Sequence, residues 1–142
     1  MITPTPAEPY RAPRIPPRPH LFEVAFLPGP ERVAQMRRLT TAYLRYWQVP
    51  EPLQSDMVLV VSELVTNAIQ HGKGQVGLRI KSTDTRALIE VSDENPDPPR
   101  LRLATDDEVS GRGMLIVDSL AQSWGVSRDG MTTWCNLATG GS

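Results

Sequence analysis

The spacing of apolar residues along the chain predicts two adjacent helices in its first half. From Glu31 to Trp47, apolar side chains recur at three- and four-residue intervals, and arginines occupy many of the positions between them. The motif VPEP ends this pattern, and a second helix is predicted from about Glu51 to His71, with Pro52 in its first turn and Gly72 just past its end. This second helix is apolar over most of its circumference, so we expect it to be the central helix, packed against a sheet.

Strand patterns flank these two helices. LFEVAFL (residues 21–27) precedes them, and QVGLRIKS and RALIEVS follow them. Residues 93–110 predict a long loop, after which helical spacing returns in GMLIVDSLAQSWG, and the strands GVSRD and TTWCNLA flank a turn at Asp129-Gly130. The order β-α-α-β-β-loop-α-β-β predicts an α/β (α+β) fold, a two-layer sandwich whose helices pack on one face of a mixed, largely antiparallel sheet.

The first twenty residues differ in composition from the rest of the chain. The segment MITPTPAEPYRAPRIPPRP is dense in proline and has almost no aliphatic run, so we expect residues 1–20 to be a disordered arm and residues 21–142 to be the folded domain. The three arginines of this segment leave two interpretations open, a solvated tail or a docking arm for a partner.

Charge and composition exclude several classes of function. A formal net charge of -1 gives no reason to expect a nucleic-acid or membrane partner. No stretch has the ~18 consecutive apolar residues of a membrane span, and the N-terminus lacks the apolar region of a secretory signal, which predicts a cytoplasmic location. The single cysteine, Cys135, has no neighbours with zinc-ligand spacing, so we expect it to be a small apolar residue of a late strand.

The helix predicted over residues 51–71 carries three polar side chains at regular spacing. Glu63, Asn67 and His71 are four residues apart and therefore lie along one side of the helix. One interpretation is an amphipathic helix with three incidental polar residues. The other makes Glu63 a general base and Asn67 the neutral oxygen ligand that Mg²⁺ accepts beside phosphates. His71 is then a phosphate contact, although a capping or packing histidine explains it equally well.

Two further motifs favour the interpretation as a site. Asp93 closes the strand RALIEVS, and a carboxylate there suits an exocyclic amino group such as that of adenine, although aspartate is also common in turns. SGRGM (residues 110–114) leads into the next predicted helix, where glycines and unpaired N–H groups allow a polyphosphate to approach closely. An ordinary loop-to-helix turn gives the same pattern, and Arg112 either neutralises phosphate charge or points to solvent.

The three motifs together resemble the ATPase and kinase superfamily shared by gyrase, the Hsp90 chaperone, histidine kinases and MutL. Within it, the sequence is most similar to the small bacterial anti-sigma-factor serine kinases. ELVTNAIQHG matches the asparagine box, VSDENPDPP stands at the first glycine box, and GRGMLIVDSLAQSWGV matches the second. The resemblance covers roughly residues 22–137 and implies a histidine-kinase-like, Bergerat-type ATP-binding domain.

This resemblance also implies roles for individual residues and for partners. It makes Glu63 the catalytic base, Asn67 the Mg²⁺ ligand and Asp93 the carboxylate that recognises adenine. It places further residues beside the ATP: His71, Asn95, Gly111, Arg112, Gly113 and Met114. It implies transfer of the ATP γ-phosphoryl group to a serine of an anti-sigma antagonist protein, sequestration of a sigma factor, and a possible homodimer.

The first glycine box departs from the superfamily pattern. D-x-G-x-G is expected there, but DENPD contains no glycine. Asn95, Pro96 and Asp97 instead form a stiffer, turn-forming segment. The alternative to a kinase is therefore a nucleotide-gated binding module, which sequesters a sigma factor or an antagonist without phosphotransfer.

Overall fold

The helices and strands follow one another in the predicted order. The computed structural model describes residues 19–96 and 108–139, and of residues 108–113 the backbone alone. The elements are β1 His20–Phe26, α1 Arg32–Tyr46, α2 Glu51–His71, β2 Val76–Ser82, β3 Arg86–Ser92, α3 Glu108–Leu120, β4 Ser123–Val126 and β5 Thr132–Ala138. The arm before Pro19, and with it the choice between tail and docking arm, lies outside the described residues. His20, which the sequence pattern places in the arm, is the first residue of β1.

The five strands form one sheet in the order β1-β2-β3-β5-β4. All four pairings between these strands are antiparallel, so the sheet that the sequence predicts as mixed is antiparallel throughout its described strands. α2 contacts β2, β3 and β5, which confirms the predicted sandwich of helices and sheet. β3 lies between β2 and β5 in the sheet, so Asp93, the residue that follows β3, lies between the ends of these two neighbouring strands.

Alternation within the strands decides which face of the sheet the helices cover. In β2, Val76, Leu78 and Ile80 are buried, and the residues between them are partly exposed. The buried residues of β5 alternate in the same way and include Cys135, whose predicted place as a buried residue of a late strand is confirmed. Since each fully buried aliphatic side chain contributes about 1.5–3 kcal/mol, covering this face is the main stabilising interaction of the domain.

The helix α2 is the central helix, as its apolar pattern predicts. It contacts both other helices and three strands. It buries the residues Leu53, Met57, Val60, Val61, Leu64, Val65, Asn67 and Ala68. Its bounds agree with the predicted ones. The polar stripe of Glu63, Asn67 and His71 lies at the border between the buried side and the exposed side, since Asn67 is buried and the other two are partly exposed.

The helix α1 packs against α2 and ties β1 to the helix layer. Because only the residues between Tyr46 and Glu51 connect the two helices, they run antiparallel. Rings at the end of α1 stack on rings of β1, with centroid separations of 4.5 Å for Phe22 and Tyr43 and 5.1 Å for His20 and Trp47. The N-terminal strand is thereby fixed to the same core as the central helix.

The helix α3 begins earlier than its sequence pattern predicts. It starts at Glu108, so Gly111 and Gly113 lie inside its first two turns instead of before its first residue. The expectation that the glycines open this helix is wrong, and the backbone that SGRGM contributes is already helical. β4 is also displaced from its predicted place, since it spans Ser123–Val126. None of the helices in the described part of the chain is long and apolar enough to cross a bilayer.

Candidate functional site

The side chain of Asn67 links the central helix to α3. It is only 9% exposed, and its Nδ2 donates a hydrogen bond of 3.0 Å to Sδ of Met114, which is itself buried. A thioether sulfur accepts hydrogen bonds and cannot donate them, so the amide nitrogen faces the sulfur and the amide oxygen Oδ1 points away from it. The structure thus brings together two of the residues predicted for the site, one from the asparagine box and one from the second glycine box.

The carboxyl group of Asp93 is fixed at the end of β3 by backbone groups. Its main-chain N–H donates to the carbonyl oxygen of Met131 at 2.9 Å. Its carboxylate accepts hydrogen bonds from the main-chain N–H of Asn95, at 2.6 Å, and from that of Lys73. Burial raises the pKa of the Asp93 carboxyl, and these two backbone bonds lower it only in part. The group is therefore held rigidly and is partly withdrawn from water.

Gly72 makes room for this carboxylate, a role that sequence patterns did not reveal. It follows α2, as predicted, but its backbone is extended (φ -81°, ψ -177°) and not left-handed as in common glycine caps. A Cβ on Gly72 would lie 2.6 Å from Oδ2 of Asp93 and closer still to the carbonyl oxygen of Ala68. Glycine is needed here because Asp93 packs directly against the end of the helix.

The glycine-free first box is held on several sides. Nδ2 of Asn95 donates to the carbonyl oxygen of His71 at 2.8 Å, which joins the segment to the end of α2. The next residue, Pro96, places its carbonyl oxygen against Gly130, whose positive φ of 79° and missing side chain permit the contact. The segment that lacks the expected glycines is therefore fixed to both α2 and the last hairpin.

The carboxylate of Glu63 lies one helical turn before Asn67. It lines a hollow next to α1, whereas Asn67 contacts α3. This hollow has a volume of about 470 Å³ and lies between α1 and α2, with Arg37 and Ser62 also among its lining residues. Burial raises the pKa of the Glu63 carboxyl, and the nearby charge of Arg37 lowers it by a smaller amount. The polar stripe on α2 thus runs from this hollow, past Met114 of α3, to the end of the helix beside Asp93.

The remaining predicted residues fall into two groups. The backbone carbonyl of His71 accepts the bond from Asn95, which is a structural contact at the end of α2. Gly111, Arg112 and Gly113 lie in the first two turns of α3, and their side chains are outside what the structure describes. Their predicted contacts with phosphate therefore stay predictions.

Residues 26–137 match the family of the histidine kinase-like ATPase domain. The chain belongs to this family. No curated protein matches the sequence significantly. The match covers every helix, β2 to β4 and all of β5 except Ala138, and it includes Asn67 and Asp93. The family confirms the resemblance at the level of the superfamily and identifies the chain as an ATP-binding regulatory domain.

The described residues of this histidine kinase-like ATPase domain include a neutral oxygen ligand that suits Mg²⁺ beside phosphates. Among the described residues, no three His, Cys, Asp or Glu side chains gather into a group that could hold a metal ion. Asn67 offers a neutral oxygen, and Mg²⁺ accepts such a ligand when phosphates and water supply the other oxygens. The residues present are thus suited to a metal that arrives with the nucleotide.

Proposed function

We propose that the chain is an ATP-dependent serine/threonine protein kinase of the anti-sigma-factor type, which phosphorylates a serine of an anti-sigma antagonist. The observation that carries this proposal is the environment of Glu63. Its carboxylate is half-buried, has a raised pKa, lies one turn from Asn67 and borders a hollow that is open to solvent. In this proposal the hollow admits a protein substrate to Glu63, and the nucleotide lies beside Asn67, one turn further along the helix.

In the proposed reaction, the serine hydroxyl oxygen forms a bond to the γ-phosphorus of ATP. The bond between this phosphorus and the β–γ bridging oxygen breaks, ADP leaves, and the serine proton passes to the carboxylate of Glu63. Its raised pKa makes this carboxylate a better proton acceptor than an ordinary glutamate. The chain otherwise contributes positioning and electrostatic stabilisation, as is usual in phosphoryl transfer.

The other residues hold the nucleotide in this proposal. Asp93, fixed by two backbone N–H groups, accepts a hydrogen bond from the exocyclic amino group of adenine. Asn67 holds Mg²⁺, which supplies positive charge beside the triphosphate when it is bound. The α3 residues Gly111, Arg112, Gly113 and Met114 lie on the phosphate side. The proposal extends to a sigma factor as a second partner, to a homodimer and to a cytoplasmic location.

Phosphate transfer from radiolabelled ATP to an anti-sigma antagonist protein tests this function. The substitution Glu63→Gln keeps the size of the side chain and removes the base, so we expect transfer to fall by roughly 10²–10⁴-fold. ATP affinity should stay close to that of the unsubstituted chain. Glu90→Gln, the same substitution on the face of the sheet that the helices do not cover, is the control and should keep its transfer rate. Undiminished transfer in Glu63→Gln would refute the role of Glu63.

A second candidate function is a nucleotide-gated binding module that transfers nothing. The anchoring of Asn95 to His71 and of Pro96 to Gly130 favours it, because a flexible first glycine box is replaced by a fixed segment. ATP binding measured by calorimetry, with and without Asp93→Asn, separates the candidates. Binding that Asp93→Asn abolishes, with no phosphate transfer to any tested antagonist, would support the module over the kinase.

A further inference from the structure

The exposed sides of α1 and α2 form a continuous groove that the ATP site does not use. Two hollows, of about 530 Å³ and about 470 Å³, lie between these helices. They share Arg37, Thr41, Arg45 and Val58 as lining residues, so they are two parts of one surface. We call this surface the α1–α2 groove. It ends at Glu63, the proposed base.

The α1 side of this groove is strongly basic. Arg37, Arg38 and Arg45 all line it and are exposed. Within the described part of the chain, none of the three has a carboxylate oxygen within 4.0 Å. Arg37 and Arg45 are eight residues apart and therefore lie on the same side of α1. Arg37 interacts with the Glu63 carboxylate, whereas Arg38 and Arg45 leave an excess of positive charge on the α1 side of the groove, which favours an anionic partner.

The antiparallel arrangement of the helices determines which charged residues lie at each end of the groove and how far apart they are. Arg37 lies near enough to Glu63 to lower its pKa, so the two residues stand at the same end of the groove. Arg45 lies about 12 Å further along, from eight residues at 1.5 Å each, at the end where Glu51 lines the groove. Between them the floor contains Val58, and Leu59 beside it is 40% exposed.

These features distinguish a protein segment from a nucleic acid. A nucleic acid carries negative charge at regular, close intervals, and Glu51 and Glu63 would repel it at both ends of the groove. An acidic polypeptide can place its carboxylates beside the arginines, an apolar side chain on Val58 and Leu59, and an uncharged hydroxyl residue beside Glu63. The groove is complementary to this second pattern.

We propose that the α1–α2 groove binds an acidic segment of the protein substrate and delivers a serine or threonine of that segment to Glu63. The inference rests on the proposed kinase function and adds to it the chemistry of the substrate and the surface that recognises it. The acidic side chains of the segment contact Arg38 and Arg45, and its apolar residue lies on the floor of the groove. The hydroxyl group then enters the site from the side opposite the nucleotide.

Fluorescence anisotropy with a labelled acidic peptide tests the docking surface. The probe is a short peptide of glutamate and leucine with a single serine, titrated with the full chain in the presence of Mg-ATP. Arg38→Glu/Arg45→Glu reverses two exposed charges that have no part in the proposed chemistry. We expect it to weaken peptide binding by at least about tenfold, because like charges then face each other. In a transfer assay, KM for the peptide should rise while kcat stays near its original value.

The matched control is Arg86→Glu/Arg128→Glu, the same change of charge at exposed arginines of β3 and of the last hairpin. Peptide binding that falls equally in both double variants, or in neither, would overturn the proposal. Preferential binding of a single-stranded oligonucleotide by the unsubstituted chain would overturn it as well. If the chain binds ATP but not the peptide, the docking surface is refuted and the nucleotide function stands. If the chain does not bind ATP, the proposed function itself fails.

Discussion

Adding one methyl group at Gly72 tests whether the end of α2 shapes the site around Asp93. Gly72 has extended φ and ψ angles that alanine also adopts, so Gly72→Ala needs no change of these angles. Its effect is steric, because the new Cβ would lie 2.6 Å from Oδ2 of Asp93. To reach 3.4 Å, where ordinary contact begins, the carboxylate oxygen has to move by about 0.8 Å. The carbonyl oxygen of Ala68, which accepts the Gly72 N–H at 2.9 Å, has to move too.

This displacement has a predictable size in free energy. A hydrogen bond between Asp93 and adenine that lengthens by such an amount leaves the usual range of about 2.7–3.2 Å. Losing a bond to a charged group costs about 1.5–3 kcal/mol, so ATP should bind roughly tenfold to a hundredfold more weakly. Overpacking at the end of the helix should lower the free energy of unfolding by about 1–3 kcal/mol.

Calorimetric ATP titration and urea unfolding measure the two effects separately. Gly29→Ala is the matched control, because its Cβ would also approach a carboxylate oxygen, that of Glu31, at 2.8 Å. The side chain of Glu31 is exposed and can swing away, so this variant should keep both its stability and its ATP affinity. A folded Gly72→Ala chain that binds ATP as tightly as the original would refute the close packing of Asp93 or its contact with adenine.

Three further predictions concern charge, reactivity and the first box. Burial raises the pKa of the Glu63 carboxyl in the folded chain, so the folded state favours the protonated form of this group. The free energy of unfolding should therefore fall as the pH rises from the ordinary pKa of glutamate through the raised pKa. Glu63→Gln should therefore gain stability over the original chain across that pH range in urea unfolding, and a constant difference would contradict this. Burial also raises the pKa of the Cys135 thiol to about 12, so iodoacetamide should label it at neutral pH only after unfolding; rapid labelling of the folded chain would refute its burial. Asn95→Ala removes the bond to the His71 carbonyl and should lower the free energy of unfolding by about 0.5–1.5 kcal/mol. Unchanged stability would show that this bond adds nothing.

The sequence predicts the frame of the domain well because its periodic patterns are long. The bounds of α2 agree with the prediction, since apolar spacing, a proline in the first turn and a final glycine all mark the same helix. The start of α3 was missed because Gly111 and Gly113 weaken a helical pattern, although the structure continues the helix through them. Local preference was outweighed there by the packing of Met114 against α2.

The sequence predicts which residues are candidates for the site, but it does not predict the contacts that these residues make. Glu63 and Asn67 share a helix side, as the four-residue spacing requires, yet they face different neighbours, α1 for one and α3 for the other. No spacing rule relates Gly72 to Asp93, because their contact arises when the sheet brings the end of β3 to the end of α2. Contacts of this kind depend on tertiary structure and carry no local signal.

The hydrogen bond from Asp93 to Met131 has a consequence for the synthesis of the chain. Asp93 is synthesised before β5, but the carbonyl oxygen that accepts its main-chain N–H belongs to the hairpin that follows β4. A nascent chain still lacking residue 131 cannot form this hydrogen bond, and the edge of β3 that β5 will cover stays open to other strands. A chain truncated before β5 should therefore hold Asp93 less firmly and bind ATP more weakly than a chain that includes β5.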